Sequence, residues 1–218
     1  TRKESSAASD VYKRQDLQRP DALIESASLS RLPKDLLAVP LLRDTLTEDF
    51  VFYYEHNADR LGLVGSLRRI IYERDLKLRD ELLDELLDQP ADVALWKGAD
   101  GKLKHFVMVM QRGGLAKVLE PLAHVALDDT QLSKTGELHV DGGSVPLYRL
   151  NYLGDRALLL ASHGDKLLVL SSPGMLFGED DKLGRAATES VEALLDGDNP
   201  FAKRFGLKAR ATEQQLSL

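Results

Sequence analysis

The chain has 218 residues, 43% hydrophobic and 29% charged, with a formal net charge of −6. That length and apolar content suffice for one large packed domain and argue against global disorder. The acidic balance, with no block of five or six Lys or Arg, argues against a general nucleic-acid binder. Cysteine is absent, which excludes disulfides, thiolate catalysis, iron–sulfur clusters and cysteine-based zinc sites. No apolar run approaches the roughly 20 residues of a membrane helix.

The first fifteen residues read as foreign to the rest. Asp10-Val11-Tyr12-Lys13-Arg14-Gln15 resembles the translation of an adapter used in sequencing libraries, and Ser5-Ser6-Ala7-Ala8-Ser9 extends it. The expectation is a tail over 1–15, with the authentic sequence starting near Asp16 and any signal or anchor before it lost. Setting the tail aside removes four cations (Arg2, Lys3, Lys13, Arg14) and two anions (Glu4, Asp10), so the acidic balance deepens.

Asp21–Ser28 (DALIESAS) reads as a first strand around Leu23 and Ile24. A helical part is then expected over 30–89. Ser30 is a suitable N-cap and Pro33 fits a first turn, where its missing N–H costs little. Thr47-Glu48-Asp49 starts a helix bearing Phe50, Val51, Tyr53 and Tyr54, stopped at Gly62. Those aromatics read as core rather than as a ligand platform. Ser66 starts another helix, with Leu67, Ile70 and Ile71 on one face and Arg68, Arg69 and Arg74 on the other. Leu78–Asp88 repeats the plan, with a stripe of Leu78, Leu82, Leu83, Leu86 and Leu87. Its carboxylates line the opposite face with no His among them, so a solvated face is preferred to a metal site.

A sheet-rich part is expected over 90–207. Ala91–Lys97 and Leu103–Gln111 flank the turn at Gly98-Ala99-Asp100-Gly101 and predict a hairpin. Gly113-Gly114 leads into a helix that Pro121 interrupts and Asp128-Asp129 closes. Glu137–Val140 and Val145–Tyr152 form a second hairpin about Asp141-Gly142-Gly143. Ala157–Ser162 and Lys166–Ser171 form a third about His163-Gly164-Asp165. Leu158 and Leu160 point one way on that first strand, Leu159 and Ala161 the other, so the hairpin is apolar on both faces and belongs in the middle of a sheet, covered above and below. Ala187–Asp196 is helical up to Gly197, a short helix runs from Pro200 to Phe205, and a polar tail occupies 208–218. The fold class predicted is α+β: a helical N-terminal third, then an antiparallel sheet of hairpins with packed helices, as a single domain over 16–207.

Chemistry is hard to find. The phosphate-loop, dinucleotide, zinc-protease and nucleophile-elbow motifs are missing; Gly142-Gly143-Ser144-Val145 fails at the last glycine of the elbow. The five histidines, His56, His105, His124, His139 and His163, lie too far apart in sequence for a local metal pair. Ser162, His163 and Asp165 are the elements of a triad, but strand neighbours point apart, so a turn role is preferred. His105 reads as a buried, hydrogen-bonded strand residue. Asp196-Gly197-Asp198-Asn199 resembles half a calcium loop and lacks the later acids, so a helix cap followed by a turn is preferred. Arg112-Gly113-Gly114 before a helix is a generic anion site, and Arg68-Arg69 could grip an acidic partner. No catalytic residue, metal or cofactor is assigned.

DLQRPDALIESASLSRLPKDLLAVPLLRDTLTEDFVFYYE (Asp16–Glu55) and DRLGLVGSLRRI (Asp59–Ile70), with ADVALWKG and HFVMVMQRGGLAKVLE further on, resemble an uncharacterised bacterial family, domain of unknown function 2138. The resemblance covers nearly all of residues 16–207 and rests on whole segments rather than on a chemical motif. It implies a fragment cut at both ends of a longer Gram-negative protein, encoded near secreted alpha-2-macroglobulin-like protease traps. It therefore implies a cell-envelope location, periplasmic or anchored at the inner membrane, with a cytoplasmic one as the alternative. It brings no catalytic residues. Two function classes stay open: a non-catalytic envelope module that binds another protein, and a hydrolase or small-ligand enzyme. The enzyme's site would be assembled from distant residues, around His105, Arg112 or His139, or lie in the missing C-terminal part.

Overall fold

Alternation at every second residue builds strands, and glycines at Gly101, Gly142 and Gly164 turn the chain between successive ones. The computed structural model describes residues 17, 19–29, 31, 88–98, 101–112, 132–153, 156–178, 182–207 and 215–217. The strands are β1 (Ala22–Ser26), β2 (Ala91–Lys97), β3 (Leu103–Gln111), β4 (Leu132–Val140), β5 (Gly143–Leu153), β6 (Arg156–His163), β7 (Lys166–Leu170) and β8 (Gln215–Ser217). They form one eight-stranded sheet in the order β4-β5-β6-β7-β3-β2-β1-β8, and every pairing is antiparallel. A 3-10 turn (Pro173–Met175) and two helices, α1 (Arg185–Asp196) and α2 (Pro200–Arg204), complete the described elements.

This overturns the α+β reading of a helical N-terminal third followed by a sheet with packed helices. Among the described residues the fold is dominated by the sheet, with two short α-helices. The first strand, β1, lies inside the sheet, between β2 and β8. The tail expected from residue 208 supplies β8, whose residues pair with Leu23, Ile24 and Glu25. The helices expected between 30 and 89 and after Gly113 lie outside the described residues, apart from Arg31, Asp88 and Gln89, which are in turns and bends. A leucine stripe is a local signal, whereas this architecture is set by long-range strand pairing, which no local period displays.

The hairpin β6–β7 stands third and fourth of eight, where strands with two apolar faces belong. Gly164 opens its turn at φ 57, an angle that glycine reaches without a Cβ clash. One face of the sheet is Leu23, Ala94, Trp96, Val107, Leu147, Leu159, Ala161, Leu168 and Leu170, all buried. Against it lie Ala187, Val191, Leu194 and Leu195 of α1, together with Met175, Leu176 and Phe201. Those α1 positions follow the i, i+4, i+7, i+8 spacing of an apolar stripe. On the second face Ala22, Ile24, Ala91, Val93, Met110 and Val169 are also buried, while Leu158 and Leu160 are half-buried.

The edge strand β4 is guarded. Outward-pointing N–H groups of His139 and Asp141 donate to Glu192 Oε1 (2.5 Å) and Asp196 Oδ1 (2.8 Å), acceptors one helical turn apart on α1. A register shift between Lys134 and Gly136 breaks the ladder further along. Helix cover and bulges both stop an edge from recruiting a foreign strand. Gly136 lets Leu183 and Phe177 approach to 3.6 and 3.7 Å of where a Cβ would stand.

Candidate functional site

The residues singled out from the sequence are dispersed. His105 stands opposite Trp96 in the β2–β3 register, on the face that α1 and α2 cover, and is buried. Arg112 follows β3 seven residues on, roughly 23 Å along a strand. Its guanidinium Nη1 donates to Ser162 Oγ at 2.5 Å, and its backbone N–H donates to the Asp165 carbonyl. Arg112 thus ties β3 to the turn of the central hairpin. His139 lies on β4, four strands away from β3, or roughly 19 Å at the usual spacing. Its imidazole is largely exposed, with Nδ1 3.8 Å from Glu192 Oε1. General acid–base partners need hydrogen-bond reach, about 3 Å, so His105, Arg112 and His139 form no common constellation. His163 and Ser162 occupy opposite faces of β6, as strand alternation dictates, and the Ser162 hydroxyl accepts from Arg112. Arg68, Arg69, Gly113, Gly114, His56 and His124 lie outside the described residues.

Asp196-Gly197-Asp198-Asn199 is a helix cap and a turn. Gly197 takes φ 101 as the C-cap of α1, and Asp198 N–H returns to the Ala193 carbonyl at 2.8 Å, the backbone closure of a left-handed cap. Asn199 Oδ1 then accepts from Phe201 N (3.1 Å) and Ala202 N (3.0 Å) as the N-cap of α2. The two acids serve separate partners: Asp196 holds the β4 edge and Asp198 pairs with Lys203 at 2.7 Å. Among the described residues no group of three His, Asp or Glu could hold a metal ion.

A cleft opens between the end of α1 and the ends of β2, β3 and β7, lined by Asp92, Val109, Met110, Gln111, Asp165, Lys166, Leu194, Gly197 and Asn199. Asp92 and Lys166 come from the covered face, through the registers Asp92↔Val109, Val109↔Leu168 and Gln111↔Lys166. Lys166 Nζ donates to the carbonyls of Leu194 (3.4 Å) and Leu195 (2.8 Å), placing a cation at the negative end of α1. Asn199 Nδ2 donates to Asp92 Oδ2 at 3.2 Å. The volume is about 100 Å³, room for roughly three waters and well below the roughly 300 Å³ at which small-molecule sites begin. No local motif in the sequence marks this cluster. The available signal was Asp92, a carboxylate inside the apolar run Ala91–Lys97.

A Cβ at residue 197 would meet Lys166 Nζ at 2.8 Å on top of the left-handed backbone. Gly197→Ala is therefore expected to cost about 1–2 kcal/mol, read as a lower urea midpoint at constant slope. An unchanged midpoint would show that the α1 cap is not under this constraint.

Among the described residues, Glu137 has a carboxyl whose surroundings perturb it clearly. Its carboxyl is held below the ordinary glutamate value, first by the Lys134 ammonium hydrogen-bonded to it, then by the Ser144 hydroxyl, with the Lys134 charge adding to both. Ser144 Oγ donates at 2.8 Å. A depressed folded-state pKa favours folding above the unfolded value, and that contribution is lost as pH falls through the folded pKa. Carboxyl NMR should find Glu137 titrating below the ordinary glutamate value, and Lys134→Met should raise it. Equal titration in both proteins would contradict the pairing.

Comparison with known proteins gives the family. The sequence model described as "Uncharacterized protein conserved in bacteria (DUF2138)" matches residues 1–218. The chain belongs to this family. It is 50% identical over 201 residues to "Uncharacterized protein YfaA" of Escherichia coli (strain K12), an alignment covering 91% of this chain and 36% of that relative. The chain thus spans about a third of the length of the curated relative it matches. No solved structure matches it. Among the described residues no helix is long and apolar enough to cross a membrane.

Proposed function

We propose that this domain is a non-catalytic binding module of the bacterial cell envelope whose ligand is another protein. The observation that carries the reading is the dispersal of His105, Arg112 and His139. One is buried beneath the helices, one is engaged in tying two strands together, and one is exposed on a guarded edge. None of the three lines the described cleft, so these three residues share no reaction volume. The acidic net charge favours a partner with a basic surface. The family resemblance implies a candidate, an alpha-2-macroglobulin-like protease trap.

Calorimetry of the family-length protein against that protease trap tests the pairing. Saturable heat is expected, whereas a flat titration sends the search to other envelope proteins. Recovery of the intact gene tests the location. A hydrophobic signal or anchor ahead of Asp16 is expected, and a coding sequence that starts in polar residues removes both the envelope and the protease trap. The alternative, a hydrolase or small-ligand enzyme, gains ground if the purified protein turns over an ester, peptide or phosphate substrate.

A further inference from the structure

We draw no further inference here: the strongest candidate, the cleft between the end of α1 and the ends of β2, β3 and β7, belongs to the site already described, and the contacts of Lys166 and Asn199 there are ones that hold α1 and α2 in place, so nothing in it selects a ligand.

Discussion

Leu168→Ala is expected to destabilise the domain by about 3 kcal/mol, within the range of roughly 2–5 kcal/mol for buried leucines. Leu168 is fully buried in β7. Its register partners are Ala161 on one side and Val109 on the other, so it sits where the β4–β7 meander joins the β1–β3 strands. Truncation leaves a cavity between strands whose backbones are hydrogen-bonded on both sides and so cannot collapse to fill it. For a chain of this size the loss corresponds to a melting point lower by roughly 6–12 °C. Leu158→Ala is the matched control. Leu158 is half-buried on the second face and should cost well under half as much, because less area leaves water on folding. Urea unfolding of both variants checks the pair, and equal losses would contradict the assignment of faces on β6 and β7.

Phe201→Ala is expected to cost about 3–5 kcal/mol. Phe201 is 1% exposed and meets Trp96 edge-on, with ring centroids 5.4 Å apart. The guanidinium of Arg204 lies 5.7 Å from its ring centre, and Arg204 Nη1 also donates to the Leu17 carbonyl at 2.7 Å. α2 has five residues, too few to persist by helix propensity. Phe201 is its largest buried side chain, alongside the Asn199 cap and the smaller Ala202, so truncation loosens the helix along with the contact. Trp96 is the single tryptophan in the chain, which makes its emission a direct reporter. Phe201→Ala should shift that emission to longer wavelength. Phe201→Leu keeps most of the volume and should lose about 1–1.5 kcal/mol, partly the edge-on aromatic term. Unchanged emission and stability in Phe201→Ala would contradict the packing of α2 on the sheet.

Much of the local architecture is legible in the chain. Gly164-Asp165 between two apolar runs marks the central hairpin, Ala91–Lys97 and Leu103–Gln111 mark the second, and Gly197 marks the end of α1. Each is a local contest between backbone angle and side-chain pattern, and glycine or alternation decides it. The misses are non-local. Nothing in Val107 or Leu170 announces that they pair across more than sixty residues, yet that pairing joins the two halves of the sheet. The first half of β4, Leu132–Gly136, carries no clean alternation and is interrupted by a bulge, so the strand is expected only from Glu137 until β5 is laid beside it. β8 is polar at Gln215 and Ser217 and is recruited by the free edge of β1.

The candidate site divides in the same way. Gly197 could be assigned as a helix stop from the sequence alone. Arg112 was visible as a cation before two glycines, but its bond to Ser162 depends on β3 meeting the β6–β7 turn. The cleft is not legible in the sequence because its residues come from β2, β3, the β6–β7 turn, β7, α1 and the link between α1 and α2. Asp92 and Asn199 are 107 residues apart in the chain and hydrogen-bonded in the fold.

Cross-linking capture tests the central claim most directly. The family-length protein, tagged and produced in its own host, would be cross-linked in intact cells and recovered from the envelope fraction, with a known envelope complex as the positive control. The account predicts one protein partner at near-stoichiometric yield, retained when His105, Arg112 and His139 are each replaced by alanine, provided the variants fold. Recovery of the control complex with no partner for this protein would contradict it, and would contradict it most strongly if the same preparation hydrolysed a substrate that the His105 or His139 variant could not.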